Sequence, residues 1–380
     1  MTREALRLGL IGGGPGSFIG PVHRMAACLD ARFILAAGAF SRTREKSLAQ
    51  AALWGVSADR AYDSIEALIA GEQHRDDAVQ AIAIATPNDS HYAIAAAAIQ
   101  AGLPVICDKP MTATLAEAEA LAALVARTGC PFALTYAYTG YAMIREARAR
   151  IASGAIGRVR KVMVDYPQGW LSDPIEADNV QAAWRTDPNR AGCGGAIGDI
   201  GVHAFQLAEY VSGLRVVELV ADLSRVVAGR RLDDDCNILL RFEGGVPGVL
   251  TASQIATGER NGLKLRIHGE QGSLEWRHDA PADLIFRWPD ARTEIIHAGS
   301  PGLHPTAQRA IRLPSGHPEG FIEAFATLYA GFADAIEGAQ DSLNDLLPGI
   351  DDGLRSMRLI DRAVRSNDAR AWLAFPGNGQ

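Results

Sequence analysis

A chain of 380 residues exceeds what one hydrophobic core ordinarily organises and has room for two domains. Its 48% hydrophobic and 21% charged residues are a globular composition, which excludes a disordered or low-complexity protein. A formal charge of -7, with lysines and arginines scattered along the chain, leaves no basic footprint for nucleic acid.

The first third alternates regularly. "LRLGLI" is an expected strand that runs into "GGGPGSFIG", and "PVHRMAACL" then carries helical spacing, with Pro21 suited to a first turn. A second strand is expected in "RFILAAGAF", followed by the helix "TREKSLAQAALWG", whose closing Gly55 fits a C-terminal cap. "AVQAIAIATP" and "PVICDKP" are the third and fourth strands, separated by the helix "DSHYAIAAAAIQAG". "TLAEAEALAALVARTG" and "PFALTYAY" complete the series as helix and fifth strand. Near-continuous apolar strands alternating with helices predict a doubly wound parallel sheet, a Rossmann-type α/β domain over residues 1–135.

Residues 136–380 change style. "MIREARARIASGAIG" is helical, "RVRKVMVDYPQGW" strand-like, and "VHAFQLAEYVSG" helical again. Strand-like "CNILLRFEGGVPGVLTASQI", "LKLRIHGEQGSLEW" and "DLIFRW" follow, punctuated by turns at "EGG", "RNG" and "GEQG". These predict an α+β domain on a large, mostly antiparallel open sheet, with amphipathic helices near the end. Its open face suits a subunit interface, and a homo-oligomer, dimer or tetramer, is expected. "LDDDCN", with Asp233 to Asp235, reads as a solvated loop. Five dispersed cysteines without a C-x-x-C pair fit buried thiols in a reducing compartment. The apolar stretch at the start is too short for a signal peptide, and no run spans a bilayer, so a cytoplasmic protein without a membrane partner is expected.

Four segments carry chemistry. Gly12-x-Gly14-x-x-Ser17, with Gly16 and Gly20 nearby, follows the first strand, where backbone N–H groups can approach a pyrophosphate at a helix N-terminus. Its third glycine is displaced, and taken alone such a motif is equally a tight turn. The second strand ends in "FSRTREKS", where Ser41, Arg42, Thr43 and Arg44 suit a 2′-phosphate better than a bare ribose. The cofactor expected is NAD(P), leaning to NADP(H) with NAD(H) still admissible. The alternative is that both arginines solvate the helix start. "ICDKP" places Lys109 at the carboxyl edge of the sheet, where ligands bind in this architecture, and Pro110 disfavours helical geometry there.

The fourth segment is "GCGGAIGDIGVH". Asp199 and His203, four residues apart, share a helical face. They read as a helix cap beside a structural histidine or as an acid–base centre; no third ligand at suitable spacing supports a metal, and none is expected. Tyr138, Tyr141, Trp170, Trp184 and Arg185 offer the aromatic faces and guanidinium fork that suit polyols, though core packing explains the aromatic residues as well.

With those residues in view, the chain resembles the Gfo/Idh/MocA oxidoreductases of sugars and cyclitols. "LIGGGPGS", "IATPNDSHYAIAAAAIQAGLPVICDKP" and "WRTDPNRAGCGGAIGDIGVH" stand in the order and spacing of that family, and the likeness covers most of the chain. It implies a dehydrogenase acting on CH–OH groups, transferring hydride between a nicotinamide cofactor and a secondary alcohol or ketone of a sugar, glycoside or cyclitol. It further implies that Lys109 binds substrate and nicotinamide, that Asp199 and His203 form the catalytic pair with His203 as acid–base, and that Thr86, Pro87 and Asn88 lie along the cofactor with His91 just beyond. Asp108 replaces the usual glutamate before the lysine and is counted with the cofactor contacts. Gln206 stands where many members carry an aspartate, and "YAYTGYAM" replaces an arginine-bearing segment, which leaves the substrate open. The "YPQGWL" and "WRTDP" stretches are similar to levoglucosan-type and other glycoside 3-dehydrogenases of the family, and with Lys109 they make Tyr138, Trp170, Arg185, Asp199 and His203 the substrate-contact candidates. Two alternatives stand beside this: a glycosidase using bound NAD for transient oxidation, and a non-catalytic dinucleotide sensor, against which the retention of Lys109 and His203 argues.

Overall fold

The computed structural model describes residues 4–339 and 346–375. It divides into two units, one of residues 1–137 with 321–354 and one of residues 138–320 with 355–380. The sequence boundary at 135 thus falls close to the first division, but 321–354, expected in the second domain, belongs to the first unit.

The first unit is built on β1 (Leu6–Gly12), β2 (Phe33–Ala39), β3 (Ala81–Ala85), β4 (Val105–Cys107) and β5 (Phe132–Leu134). They form one sheet in the order β2-β1-β3-β4-β5, every neighbour parallel. β3 and β4 are buried along their whole length, which is why they read as unbroken apolar runs. The chain order reverses between β1 and β3, so their carboxyl ends diverge into loops that open a crevice. Helices end where the glycines predicted: Gly55 takes a left-handed conformation (φ 75°) after Arg44–Trp54, and Gly129 (φ 64°) after Leu115–Thr128. Thr114 and Glu117 form a reciprocal capping box at the start of the latter helix.

The helix Phe321–Ile336 closes this unit. Its Phe325, Tyr329 and Phe332 are buried in the same core as Leu8, Phe33 and Ile106. Phe33 stacks on Phe332 at 5.9 Å and meets Tyr329 edge-on at 5.6 Å.

The second unit carries β6 (Val159–Pro167), β7 (Val216–Ser224), β8 (Asp235–Phe242), β9 (Pro247–Ser253), β10 (Lys264–Gly269), β11 (Ser273–Arg277), β12 (Asp283–Arg287), β13 (Thr293–His297) and β14 (Leu373–Ala374). Their order is β13-β12-β11-β10-β6-β9-β8-β7-β14, antiparallel throughout except for the parallel β6–β9 pair. Alternation is clean in β8, where Cys236, Ile238, Leu240 and Phe242 point inward. The helix Val202–Ser212 lies on this sheet against β6, β9 and β10, the three central strands.

Candidate active site

The residues singled out fall in both units, and each group is built within its own. In the first unit, the loop after β1 admits little besides glycine. A Cβ on Gly12 (φ 95°) would lie 2.4 Å from the Ala85 carbonyl oxygen, and one on Gly14 would lie 2.5 Å from that of Phe40. Gly16 also has a positive φ, 80°, but faces open space. Ser17 steadies the turn: its N–H donates to the Gly14 carbonyl at 3.0 Å and its Oγ accepts from the Gly20 N–H at 3.1 Å. At the start of the helix Ile19–Leu29 the N-cap residue Phe18 offers no side-chain acceptor, and Ser17 covers only the Gly20 N–H. A groove lined by Gly13 to Ser17, Pro21, Gln50 and Trp54 runs beside this turn. Bare backbone, positive φ and a helix start beside the glycine turn fit a dinucleotide pyrophosphate.

At the end of β2 both Arg42 and Arg44 are exposed, and Arg44 Nη1 donates to the Ala61 carbonyl. Ser41 Oγ accepts from the Thr43 N–H at 3.2 Å.

The ends of β3 and β4 are tied together by His91. Its ring is fully buried, with Nδ1 2.9 Å from the Pro110 carbonyl and Nε2 2.8 Å from that of Thr86. The structure therefore gives His91 a role in shaping the two loops that carry Thr86–Asn88 and Lys109. Thr86 Oγ1 accepts from Ser90 at 2.8 Å, and Asn88 is buried. Asp108 accepts from Thr135 Oγ1 at 2.6 Å, and Lys109, half-buried, precedes a cis peptide to Pro110.

In the second unit, residues Ile197–Gly201 form a π-helical turn that runs into Val202–Ser212. Such wide turns are uncommon and concentrate at functional sites. Asp233 builds this one: its carboxylate accepts from the N–H of Gly195 at 2.6 Å and of Ile197 at 2.8 Å, and its carbonyl accepts from Ala196 at 2.8 Å. Asp233 and its neighbour Asp234 are buried rather than solvated. Asp234 accepts from the N–H groups of Val226 and Val227 at 2.8 and 2.9 Å. The expected solvated loop is instead the anchor of the turn, because buried carboxylates are sustained by converging N–H donors.

Asp233 thus takes the capping role considered for Asp199, and Asp199 is left for other work. Its Oδ2 accepts from Gln254 Nε2 at 2.8 Å and pairs with Arg185 Nε at 3.3 Å. The Arg185 guanidinium lies over Trp184 at 4.2 Å and beside Trp170 at 6.0 Å. Both tryptophans are half-buried at the surface, so core packing does not account for them.

One turn on, His203 meets Tyr138 edge-on at 5.0 Å and lies 6.5 Å from Tyr166. The two tyrosine hydroxyls are hydrogen-bonded to each other. Tyr166 donates to Asn261 Oδ1 at 2.6 Å and Asn261 Nδ2 donates to Tyr138 at 3.2 Å, which closes a ring of three hydrogen bonds. His278 extends it, 3.1 Å from Asn261 Nδ2 and from the Tyr141 hydroxyl. Burial pushes both the Tyr138 and Tyr166 hydroxyls above the usual phenol range, and burial pulls His278 down. The tyrosines therefore stay protonated at neutral pH and form a neutral polar wall around His203. Gln254, Asn261, Tyr166 and Asp233 give no local sequence signal; only the strand order brings them here. Among the described residues no group of three or more His, Cys, Asp or Glu is arranged to hold a metal ion, no helix is long and apolar enough to cross a membrane, and the five cysteines form no disulfide.

Comparison with known proteins places these features. Residues 6–136 match the oxidoreductase family model for the NAD-binding Rossmann fold, and residues 144–275 match the Gfo/Idh/MocA C-terminal domain. An uncharacterized oxidoreductase, YfiI, of Bacillus subtilis is 34% identical over 98% of this chain and 97% of its own. The chain belongs to the Gfo/Idh/MocA oxidoreductase family. An inositol dehydrogenase homolog from Azotobacter vinelandii, solved with NAD+, superposes with a TM-score of 0.94 at 35% identity over 98% of both chains. Its complex with NADH and myo-inositol gives 0.90 at 34% identity over 98% of both chains. Levoglucosan dehydrogenase of Pseudarthrobacter phenanthrenivorans is 27% identical over 98% of this chain and 99% of its own. As a Gfo/Idh/MocA member the chain is an NAD-binding oxidoreductase of the sugar and cyclitol dehydrogenase group.

Proposed function

We propose that this oxidoreductase oxidises a secondary alcohol of a neutral cyclic polyol, a cyclitol or glycoside, and reduces the ketone in reverse. The observation that carries the reading is the π turn, which presents Asp199 and His203 beside paired tryptophans and a neutral tyrosine wall. The inositol and levoglucosan dehydrogenases among the relatives support that substrate class.

The nicotinamide, when bound, accepts or returns the hydride. The chain's own groups manage the proton and the charge. His203 takes the proton from the reacting hydroxyl, since an imidazole nitrogen can accept a proton and return it in the reverse direction. Tyr138 and Tyr166, kept protonated by burial, do not compete as bases and hold the imidazole in place. Asp199 accepts a hydrogen bond from a substrate hydroxyl, and Lys109 supplies positive charge to the developing alkoxide. The glycine turn with Ser17 holds the pyrophosphate, and Thr86, Pro87, Asn88 and Asp108 line the cofactor's path.

No carboxylate stands at Ser41–Arg44 to repel a 2′-phosphate, and exposed Arg42 supports acceptance of NADP(H) beside NAD(H). Arg44, exposed beside it, keeps donors beyond the one given to Ala61 and supports the same acceptance. Exposed Val217 and Leu239 on the nine-stranded sheet support assembly of copies through its open face.

Turnover is measured by absorbance of the reduced nicotinamide with myo-inositol, levoglucosan and a panel of cyclic polyols, each with both cofactors. Lys109→Ala and His203→Ala are expected to lower kcat/KM about 10²- to 10⁴-fold. Unchanged turnover in both variants, or release of free sugar without net cofactor reduction, overturns the assignment.

A further inference from the structure

Arg185 has more donors than its contacts in the second unit use. Nε pairs with Asp199 Oδ2 at 3.3 Å, and Nη1 donates to Gln181 Oε1 at 2.7 Å and to its carbonyl at 3.3 Å. Nη2 has no partner among the described residues, and the side chain keeps 20% of its surface open to solvent. The guanidinium is planar, and its Nε–H and one Nη2–H point out of the same edge. Nη2 therefore faces the side on which Asp199 sits. The plane itself cannot swing freely, because it is held over Trp184 at 4.2 Å, and Trp184 Nε1 in turn donates to Gln181 Oε1 at 3.3 Å. A rigid donor beside a fixed carboxylate, with the Trp170 ring 6.0 Å from the guanidinium, sets a donor and an acceptor side by side. The charge of the pair is balanced, so an anionic substrate gains nothing there.

We propose that Arg185 is a specificity-determining residue that donates through Nη2 to a ring hydroxyl next to the one held by Asp199, so that the enzyme requires a vicinal diol on a neutral ring. This rests on the polyol dehydrogenase reading above. Gln254 is the internal control, since its Nε2 holds the same Asp199 oxygen at 2.8 Å without offering a donor to the second hydroxyl.

The test uses the full-length enzyme and the ring polyol of highest kcat/KM in the screen above, together with each of its monodeoxy forms. For the wild type, one deoxy form besides the one lacking the reacting hydroxyl is expected to lose about 10- to 100-fold in kcat/KM, the size of a hydrogen bond to a charged group. Arg185→Met is expected to bring that parent-to-deoxy ratio close to one, chiefly through a raised KM for the parent. Gln254→Leu is expected to slow both compounds and leave the ratio in place. Arg185→Lys keeps the charge beside Asp199 but not the planar fork, and is expected to collapse the ratio as Met does. A ratio in Arg185→Met or Arg185→Lys equal to that of the wild type overturns the proposal, because a residue that only supports Asp199 affects both compounds alike. A wild type that oxidises no cyclic polyol with either cofactor overturns the underlying reading and this inference with it.

Discussion

His23 is fully buried on the helix Ile19–Leu29, with Nδ1 2.7 Å from the Tyr329 hydroxyl and the ring edge-on to Phe325 at 5.4 Å. Burial pulls its pKa down to about 4, against the smaller opposing pull of the Asp108 charge. The unfolded histidine binds a proton near pH 6.5 while the folded one does not, so stability falls as pH drops from 6.5 and levels off below about 4. That difference is worth about 3 kcal/mol at its limit. Denaturant unfolding at pH 7.5 and 4.5 is expected to show His23→Gln losing about 2 kcal/mol less than the wild type on acidification. Equal losses would refute this. Asp233 acts with the opposite sign, because burial raises its carboxyl to about 6 and stability from that group declines as pH rises from 4 to 6. Neither group was legible in the sequence. "PVHRMAACL" showed a helix but not which element would cover its histidine, and "LDDDCN" looked like a solvated charge run. A run of three acidic residues is buried only when N–H donors converge on it, and those donors lie 38 and 36 residues away for Asp233.

At the scale of elements, the regular strand and helix pattern of the first third was readable because each β/α step is local. The π turn was not. "GCGGAIGDIGVH" carries the glycines and the Asp199–His203 spacing of an ordinary capped helix, and its widening comes from Asp233 drawing on the N–H groups of Gly195 and Ile197. Gly195 is the hinge of that arrangement, because a Cβ there would lie 2.0 Å from the Asp233 carbonyl oxygen, a backbone atom with nowhere to retreat. Gly195→Ala is therefore expected to destabilise the protein by about 1–3 kcal/mol and to cut kcat/KM more than tenfold by displacing Asp199 and His203. Gly129→Ala is the contrast: its φ of 64° is unfavourable to alanine but nothing lies within 4 Å, and it ends a helix outside both the cofactor turn and the Asp199–His203 site, so a cost of only about 1 kcal/mol and unchanged kinetics are expected. Thermal melts and steady-state kinetics on both variants decide it. If Gly195→Ala behaves like Gly129→Ala, the turn does not position the pair.

At the scale of the molecule, chain order and packing order differ. The Rossmann-type unit reads as finished after β5, yet its core is completed by Phe321–Ile336, about two hundred residues later. The amphipathic pattern of that helix announced a buried face without saying which unit would bury it, so the sequence boundary left it with the second domain. Three aromatic side chains, Phe325, Tyr329 and Phe332, are each 1% exposed or less. Arg32 adds ion pairs to Asp334 at 2.8 Å and Glu337 at 3.1 Å. Burying three such rings contributes about 5–9 kcal/mol, comparable to the whole stability of an ordinary domain. A fragment of residues 1–137 is accordingly expected to bind a hydrophobic dye and unfold without a cooperative transition. The same fragment joined through a flexible linker to residues 319–339 is expected to recover a sigmoidal melt, because the linker restores Phe332 and Tyr329 to Phe33 without the second unit. A cooperative melt of 1–137 alone, at a midpoint near that of the linked form, would show that the sheet and its own helices suffice and that the returning helix is an added layer rather than part of the core.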